Sequence, residues 1–218
     1  MKEEYGLGQR YIGCGKSEGE IILGKTPGNA LGAYLEGANI TVYGNAQDAT
    51  GDTMNVGDIT IHGSTGDATG YGMRGGTIYV RDNAGYRAGI HMKAYEDKLP
   101  VLVIGGRCGS FLGEYQAGGL IIVLGIGSES TVPVGNFCGT GMHGGRIYLR
   151  TEHLPPDLPE QVSAKEASME DMEMILPYID TFCQKFGADK NKLLESRFYV
   201  LTPNTKNPYK QLYVYNQC

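Results

Sequence analysis

Two stretches carry a spacing that can hold a phosphate: GYGMRG (70–75) and GTGMHG (139–144), each G-x-G-x-x-G. In a dinucleotide site that pattern follows a strand and opens a helix, whose N-terminus then faces the pyrophosphate. Here the loops run into TIYVR and RIYLR, whose apolar residues alternate with period two, as strands do. A loop leading into a strand offers no helix dipole, so the glycines need another explanation.

Other residues with chemical potential are dispersed. His62, His91, His143 and His153 are far apart, and His143 shares its repeat position with Arg74 and Lys93, which reads as a solvent-facing or interface stripe. Cys14, Cys108, Cys138, Cys183 and Cys218 never form C-x-x-C and are expected to be free thiols of a reducing cytoplasm, without metal or iron–sulfur ligation. Cys138 borders a glycine turn and reads as packing. Asp48 and Asp67 are 19 residues apart with Asp52 nearby. Carboxylates so placed can hold calcium in β-helical lyases, but Asp also suits turns, and the turn reading is preferred. No nucleophile lies beside a base at a readable spacing.

The positioning elements emerge from a repeat. Apolar pairs two residues apart recur as Ile21/Leu23, Ile40/Val42, Ile59/Ile61, Ile78/Val80, Val101/Val103, Ile121/Val123 and Ile147/Leu149, with first members 19, 19, 19, 23, 20 and 26 residues apart. The longer steps contain KAYEDKLP (93–100) and GSESTVP (127–133). Each unit also carries a glycine at Gly13, Gly32, Gly51, Gly70, Gly89, Gly113 or Gly139, expected to supply corners of positive φ or close approach. A core column is expected at Leu35, Met54, Met73, Met92 and Met142, with Gln116 as its exception.

Such a period predicts an all-β solenoid, because one unit cannot bury its inward side chains without neighbours stacked on it. Left-handed β-helices rest on hexads, and a 19-residue unit breaks that register. The expected form is a single-stranded right-handed parallel β-helix of about seven coils over residues 1–150, although the period alone leaves the hand open.

Residues 151–218 form a different unit, expected as a proline-rich connector, an amphipathic helix and an extended tail. Ser168 and Asp171 make a capping pattern, Met172, Ile175, Leu176, Ile179, Phe182, Cys183 and Phe186 follow helical spacing, and Gly187 closes the helix. Pro177 should kink the helix or delay its start. The apolar face is expected to cover the open end or flank of the solenoid. KNKLLES (190–196) suggests a second short helix, and RFYVLTPNTKNPYKQLYVYN (197–216) returns to extended chain.

Composition narrows function. The net charge of −5 argues against nucleic acid and anionic membranes, and no apolar run is long enough to span a bilayer, so the expected location is the cytoplasm. The 34 glycines are interrupted by β-branched residues throughout, which excludes low complexity.

GNALGAYLEGANITVYGNAQDATG (28–51), GYGMRGGTIYV (70–80) and GTGMHGGRIYLR (139–150) resemble the carboxy-terminal GXGXG domain of the glutamate synthase large subunit, here as a stand-alone chain. A formylmethanofuran dehydrogenase subunit with the same coil looks like a more distant relative. The resemblance implies a right-handed β-helix in an oxidoreductase complex that converts glutamine and 2-oxoglutarate to glutamate. Its implied partners are a class II glutamine amidotransferase and an FMN-binding, iron–sulfur-bearing synthase subunit, with no cofactor and no catalytic residue on this chain. A homo-oligomer is compatible with that. Two classes stay open: a non-catalytic scaffold, in either kind of complex, or a carbohydrate-active enzyme using a groove. The sequence has no tryptophan and no paired acid/base stripe, which weighs against the second.

Overall fold

The computed structural model describes residues 5–204. The remainder of the predicted extended tail, from residue 205, and Cys218 lie outside the described residues. Seven strands follow one another in the chain: β1 (Glu20–Leu23), β2 (Glu36–Val42), β3 (Val56–Ile61), β4 (Thr77–Val80), β5 (Val101–Ile104), β6 (Ala117–Val123) and β7 (Gly144–Arg150). Then come β8 (Val162–Glu166), helix α1 (Met169–Phe186), the short helix α2 (Lys190–Leu194) and β9 (Phe198–Pro203). All nine strands form one sheet in the order β1-β2-β3-β4-β5-β6-β7-β9-β8. The pairs from β1 to β7 are parallel, whereas β9 pairs antiparallel with both β7 and β8.

The expected right-handed β-helix is therefore corrected to an open, mixed sheet with few helices. The repeat does set parallel strands side by side in register. It does not dictate the path of the chain after Arg150, where the direction reverses and β9 takes the open edge of β7. The end of the parallel run is covered by antiparallel strands, which supply the hydrogen bonds that a bare edge would leave unmet. Helix α1 lies against the sheet's second face.

Register explains the core. Ile21, Ile40, Ile59, Ile78, Leu102, Ile121 and Ile147 are partners across successive strands and face one side, together with Leu23, Val42, Ile61, Val80, Ile104, Val123 and Leu149. The pair Val101/Val103 is thus corrected by one residue, to Leu102/Ile104. In VLVI every side chain is buried, so alternation gives no register. Val101 and Val103 belong to the other face, with Tyr79, Leu120, Ile122 and Tyr148, against Ile175, Ile179 and Phe182 of α1. A strand buried on both faces reads as a continuous apolar run.

Local signals set the helix. The Ser168 hydroxyl accepts a hydrogen bond from the Asp171 amide, and the Asp171 carboxylate accepts one from the Ser168 amide, a complete capping box. Gly187, at φ 70°, ends the helix with its N–H donated to the Cys183 carbonyl. Pro177 lies inside the helix and does not delay its start.

Candidate functional site

The turns before the strands concentrate the unusual residues. In each, three residues two apart adopt positive φ, a G-x-G-x-G spacing. The middle one is always glycine: Gly13, Gly32, Gly51, Gly70, Gly89, Gly113 and Gly139, with φ between 64° and 75°. The first column is Tyr11, Ala30, Ala49, Ala68, Arg87, Phe111 and Phe137; the third is Gly15, Tyr34, Thr53, Gly72, His91, Tyr115 and Gly141. A residue with a side chain loses roughly 1–2 kcal/mol in this conformation, and Thr53 is β-branched, so the neighbours must enforce it.

Enforcement comes from a ladder of backbone hydrogen bonds between turns. Gly70 donates to the Thr50 carbonyl in the preceding turn at 2.8 Å, and Gly72 to Ile90 in the following turn at 2.8 Å. Within the same loop Tyr71 donates to Ala68 and Met73 to Gly70, while Arg74 and Gly75 both donate to Met54 in the preceding turn. In the second loop Gly139 donates to Leu112, and His143 and Gly144 to Gln116. The amides that would cradle a phosphate are thus taken up by carbonyls of their own turn or of neighbouring turns. The glycines also sit where a side chain would collide with the core: a Cβ on Gly113 would lie 2.7 Å from the Ile147 δ-methyl.

Beneath the turns lie Leu35, Met54, Met73, Met92 and Met142, all fully buried. Gln116 interrupts that column and is also fully buried. Its Nε2 donates to the carbonyls of Gly118 and Gly119 at 3.1 Å, while its Oε1 has no partner among the described residues.

Above the turns, aromatic side chains stack from one turn to the next. His91 lies parallel to Tyr115 with centroids 5.2 Å apart and meets Tyr71 edge-on. Phe111 stacks on Phe137 at 5.1 Å, and the Arg87 guanidinium sits 5.0 Å from the Phe111 centroid. Arg87 also bonds Glu114 at 2.9 Å. Tyr11, Tyr34, Tyr71, Tyr86 and Phe137 remain exposed on this face. Sequence reasoning found only the glycine column. The same 19-residue step through Tyr34, Thr53 and Gly72 holds the other signal, hidden because the residue types differ.

The remaining candidates are kept apart. His62 stacks on Tyr43 and meets Phe186 of α1, and burial, with the nearby Arg81 and Lys185 charges, lowers its pKa. His143 Nδ1 lies 3.3 Å from the Gly141 carbonyl, and the His153 amide donates to Thr151 Oγ1. Asp48 and Asp67 accept the amides of Asp67 and Tyr86, one repeat further on, at 2.9 and 2.8 Å. Asp52 accepts the Thr53 hydroxyl. Asn45 and Asn83 accept the amides of Ser64 and Arg107 in the same manner, so these side chains tie turn to turn. A shallow groove of about 410 Å³ is lined by Asn45 and Asp48 of this set. Burial raises the Cys108 thiol well above its ordinary value and, with the Asp157 charge, pushes Cys138 up to about 12; Cys14 is exposed. Among the described residues no three His, Cys, Asp or Glu side chains form a metal-binding group, and no helix is long and apolar enough to cross a membrane.

One polar cluster extends beyond the capping role that the sequence signals. Asp171, buried at the start of α1, lies 3.1 Å from Arg146 and 3.5 Å from Lys165, with the Tyr148 hydroxyl at 3.4 Å. Burial raises its pKa, but bonds from the Ser168 hydroxyl and amide and the charges of Lys165 and Arg146 outweigh that and hold it below the ordinary carboxylate range. This cluster fastens α1 to β7.

Comparison with known proteins agrees with the turn pattern. The GXGXG motif family matches residues 4–205. An uncharacterized protein of Methanocaldococcus jannaschii is 54% identical over 215 residues, covering 95% of this chain and 82% of that protein. With three left-handed positions two apart in every turn, and that match over nearly its whole length, the chain belongs to the GXGXG motif family, the family of the glutamate synthase GXGXG domain.

Proposed function

We propose that the chain is a non-catalytic scaffold in a glutamate synthase-type oxidoreductase complex, positioning a class II glutamine amidotransferase and an FMN-binding synthase subunit. The observation that carries this reading is the family match over residues 4–205. FMN and the iron–sulfur cluster are assigned to the partners.

The sheet suits that task physically. Each turn is bonded to the turns on either side, and each parallel strand to its neighbours, so displacing one unit breaks bonds on two sides. A support of this kind holds two active sites at a fixed separation, so that ammonia need not cross bulk solvent. The exposed aromatic and charged side chains on the turn face supply contact surface of the type enriched in interfaces. Affinity purification of the tagged chain from its native cell tests this. The expected co-purifying proteins are an amidotransferase and an FMN-containing synthase. Recovery with formylmethanofuran dehydrogenase subunits, or with neither partner, would contradict it.

A further inference from the structure

We propose that β1 is the docking edge for a second copy of this chain, the two β1 strands pairing antiparallel about a two-fold axis through Ile22. The sheet ends differently on its two sides. After β7 the parallel run is closed by β9 and β8, whereas β1 pairs only with β2. Asn39 and Tyr43 donate to the carbonyls of Gly19 and Leu23, so those residues turn their backbone groups towards β2. Backbone groups alternate in direction along a strand, which leaves the N–H and C=O of Glu20 and Ile22 directed outward. The turn of the same unit is open as well. Each later central glycine donates its amide to the turn before it, as Gly32 does to Ile12 at 2.8 Å, while the Gly13 amide has no such acceptor among the described residues.

Strand β1 lacks most devices that blunt an edge: it pairs with β2 without a bulge and contains no proline. The Lys185 end of α1 bonds Asp58 and Thr60 of β3, and Ile22, two strands further on, remains 60% exposed. Leu7 and Tyr11 of the same unit are exposed too. The charges around β1 select the occupant. Glu18 and Glu20 precede Ile22 and Lys25 follows it, all three exposed and none in an ion pair among the described residues. Lys16, further before, is half-buried. Acidic before and basic after is self-complementary when the strand meets itself reversed. Ile22 then lies opposite Ile22 and Glu20 opposite Gly24, so the acidic end of each strand adjoins Lys25 of the other copy. Such a two-fold contact closes after two copies, and the open edge is consumed without growth into fibres. The pairing stands apart from the scaffold reading and does not depend on it.

Sedimentation velocity of the purified chain over a range of concentrations tests this, and a reversible equilibrium between monomer and dimer is expected. Ile22→Lys sets two cations face to face and should leave a monomer. The position is exposed, so this variant should still melt cooperatively, as the wild type does at dilution. Glu20→Lys and Lys25→Glu should each weaken association roughly tenfold, and combining them should restore it, because the opposed charges are only exchanged. A chain that stays monomeric at every concentration would overturn the proposal, as would a dimer indifferent to Ile22→Lys. A double variant as weak as the single ones would contradict the antiparallel register. Loss of the dimer on removing residues 205–218, with Ile22→Lys without effect, would assign the contact to the tail instead.

Discussion

The δ1-methyl of Ile59 lies 2.6 Å from where a Cβ on Gly32 would begin, and Gly32 itself has φ 64°. The glycine is required twice, by its backbone and by the side chain from the next strand. Gly32→Ala should therefore cost about 2–4 kcal/mol, from the left-handed conformation and from overpacking together. Ile59→Val removes that methyl, so Gly32→Ala should cost less in its presence. Denaturant melts of the two single variants and the double variant measure the coupling, and simple additivity would show that the methyl contact does not matter.

Met73 is fully buried in the column beneath the turns, where neither neighbour, Met54 nor Met92, can partner a charge. Met73→Lys should unfold or aggregate the chain, a loss above about 4 kcal/mol. Glu96→Lys, at an exposed position, should change stability by no more than about 0.5 kcal/mol. Circular dichroism melts compare the two directly.

Strand β2 is paired on both sides, Val42 with Leu23 and with Ile61. One residue inserted between Thr41 and Val42 would turn the following side chains to the opposite face and should abolish cooperative melting. Several residues inserted within 127–131, in an exposed turn outside the strands, should cost about 1 kcal/mol or less. Thermal melts of the two insertion variants check this, and equal losses would contradict the strand register.

Asp171 has a lowered folded pKa, so its contribution is complete above its unfolded value, about 3.9, and is lost as pH falls from there towards the folded value. Asp171→Asn should cost about 1–3 kcal/mol near neutrality, because Arg146, Lys165 and the cap lose their shared acceptor. Melting temperatures measured from pH 7 to pH 3 should show the wild type losing more than the variant across the acid end. Parallel curves would mean that the cluster does not fasten α1.

The parallel strands and their register were legible because the isoleucine positions repeat at 19 residues and each strand alternates on one buried face. Legibility failed where that condition lapsed. VLVI is apolar on both faces because α1 covers the second one, and nothing local to the strand announces the helix. The reversal at β9 was unreadable for a related reason: FYVLTP has the composition of any strand, and its antiparallel pairing depends on where the connector and α1 bring it. Of the three left-handed columns only the all-glycine one was visible, since Tyr34, Thr53 and His91 are held in that conformation by the ladder and not by their own preference. In the sequence Arg150 stands only as the end of a motif. Its burial comes from the loop after β6 and from α2, which no spacing connects to it.

Reconstitution tests the scaffold reading most directly. The purified amidotransferase and FMN synthase partners are assayed for glutamine-dependent glutamate formation with and without the chain. The account predicts that the partners alone couple the two reactions poorly and that adding the chain restores coupling, while the chain alone turns over neither glutamine nor 2-oxoglutarate. Full coupling by the partners without it, or glutamate formation by the isolated chain, would contradict the account.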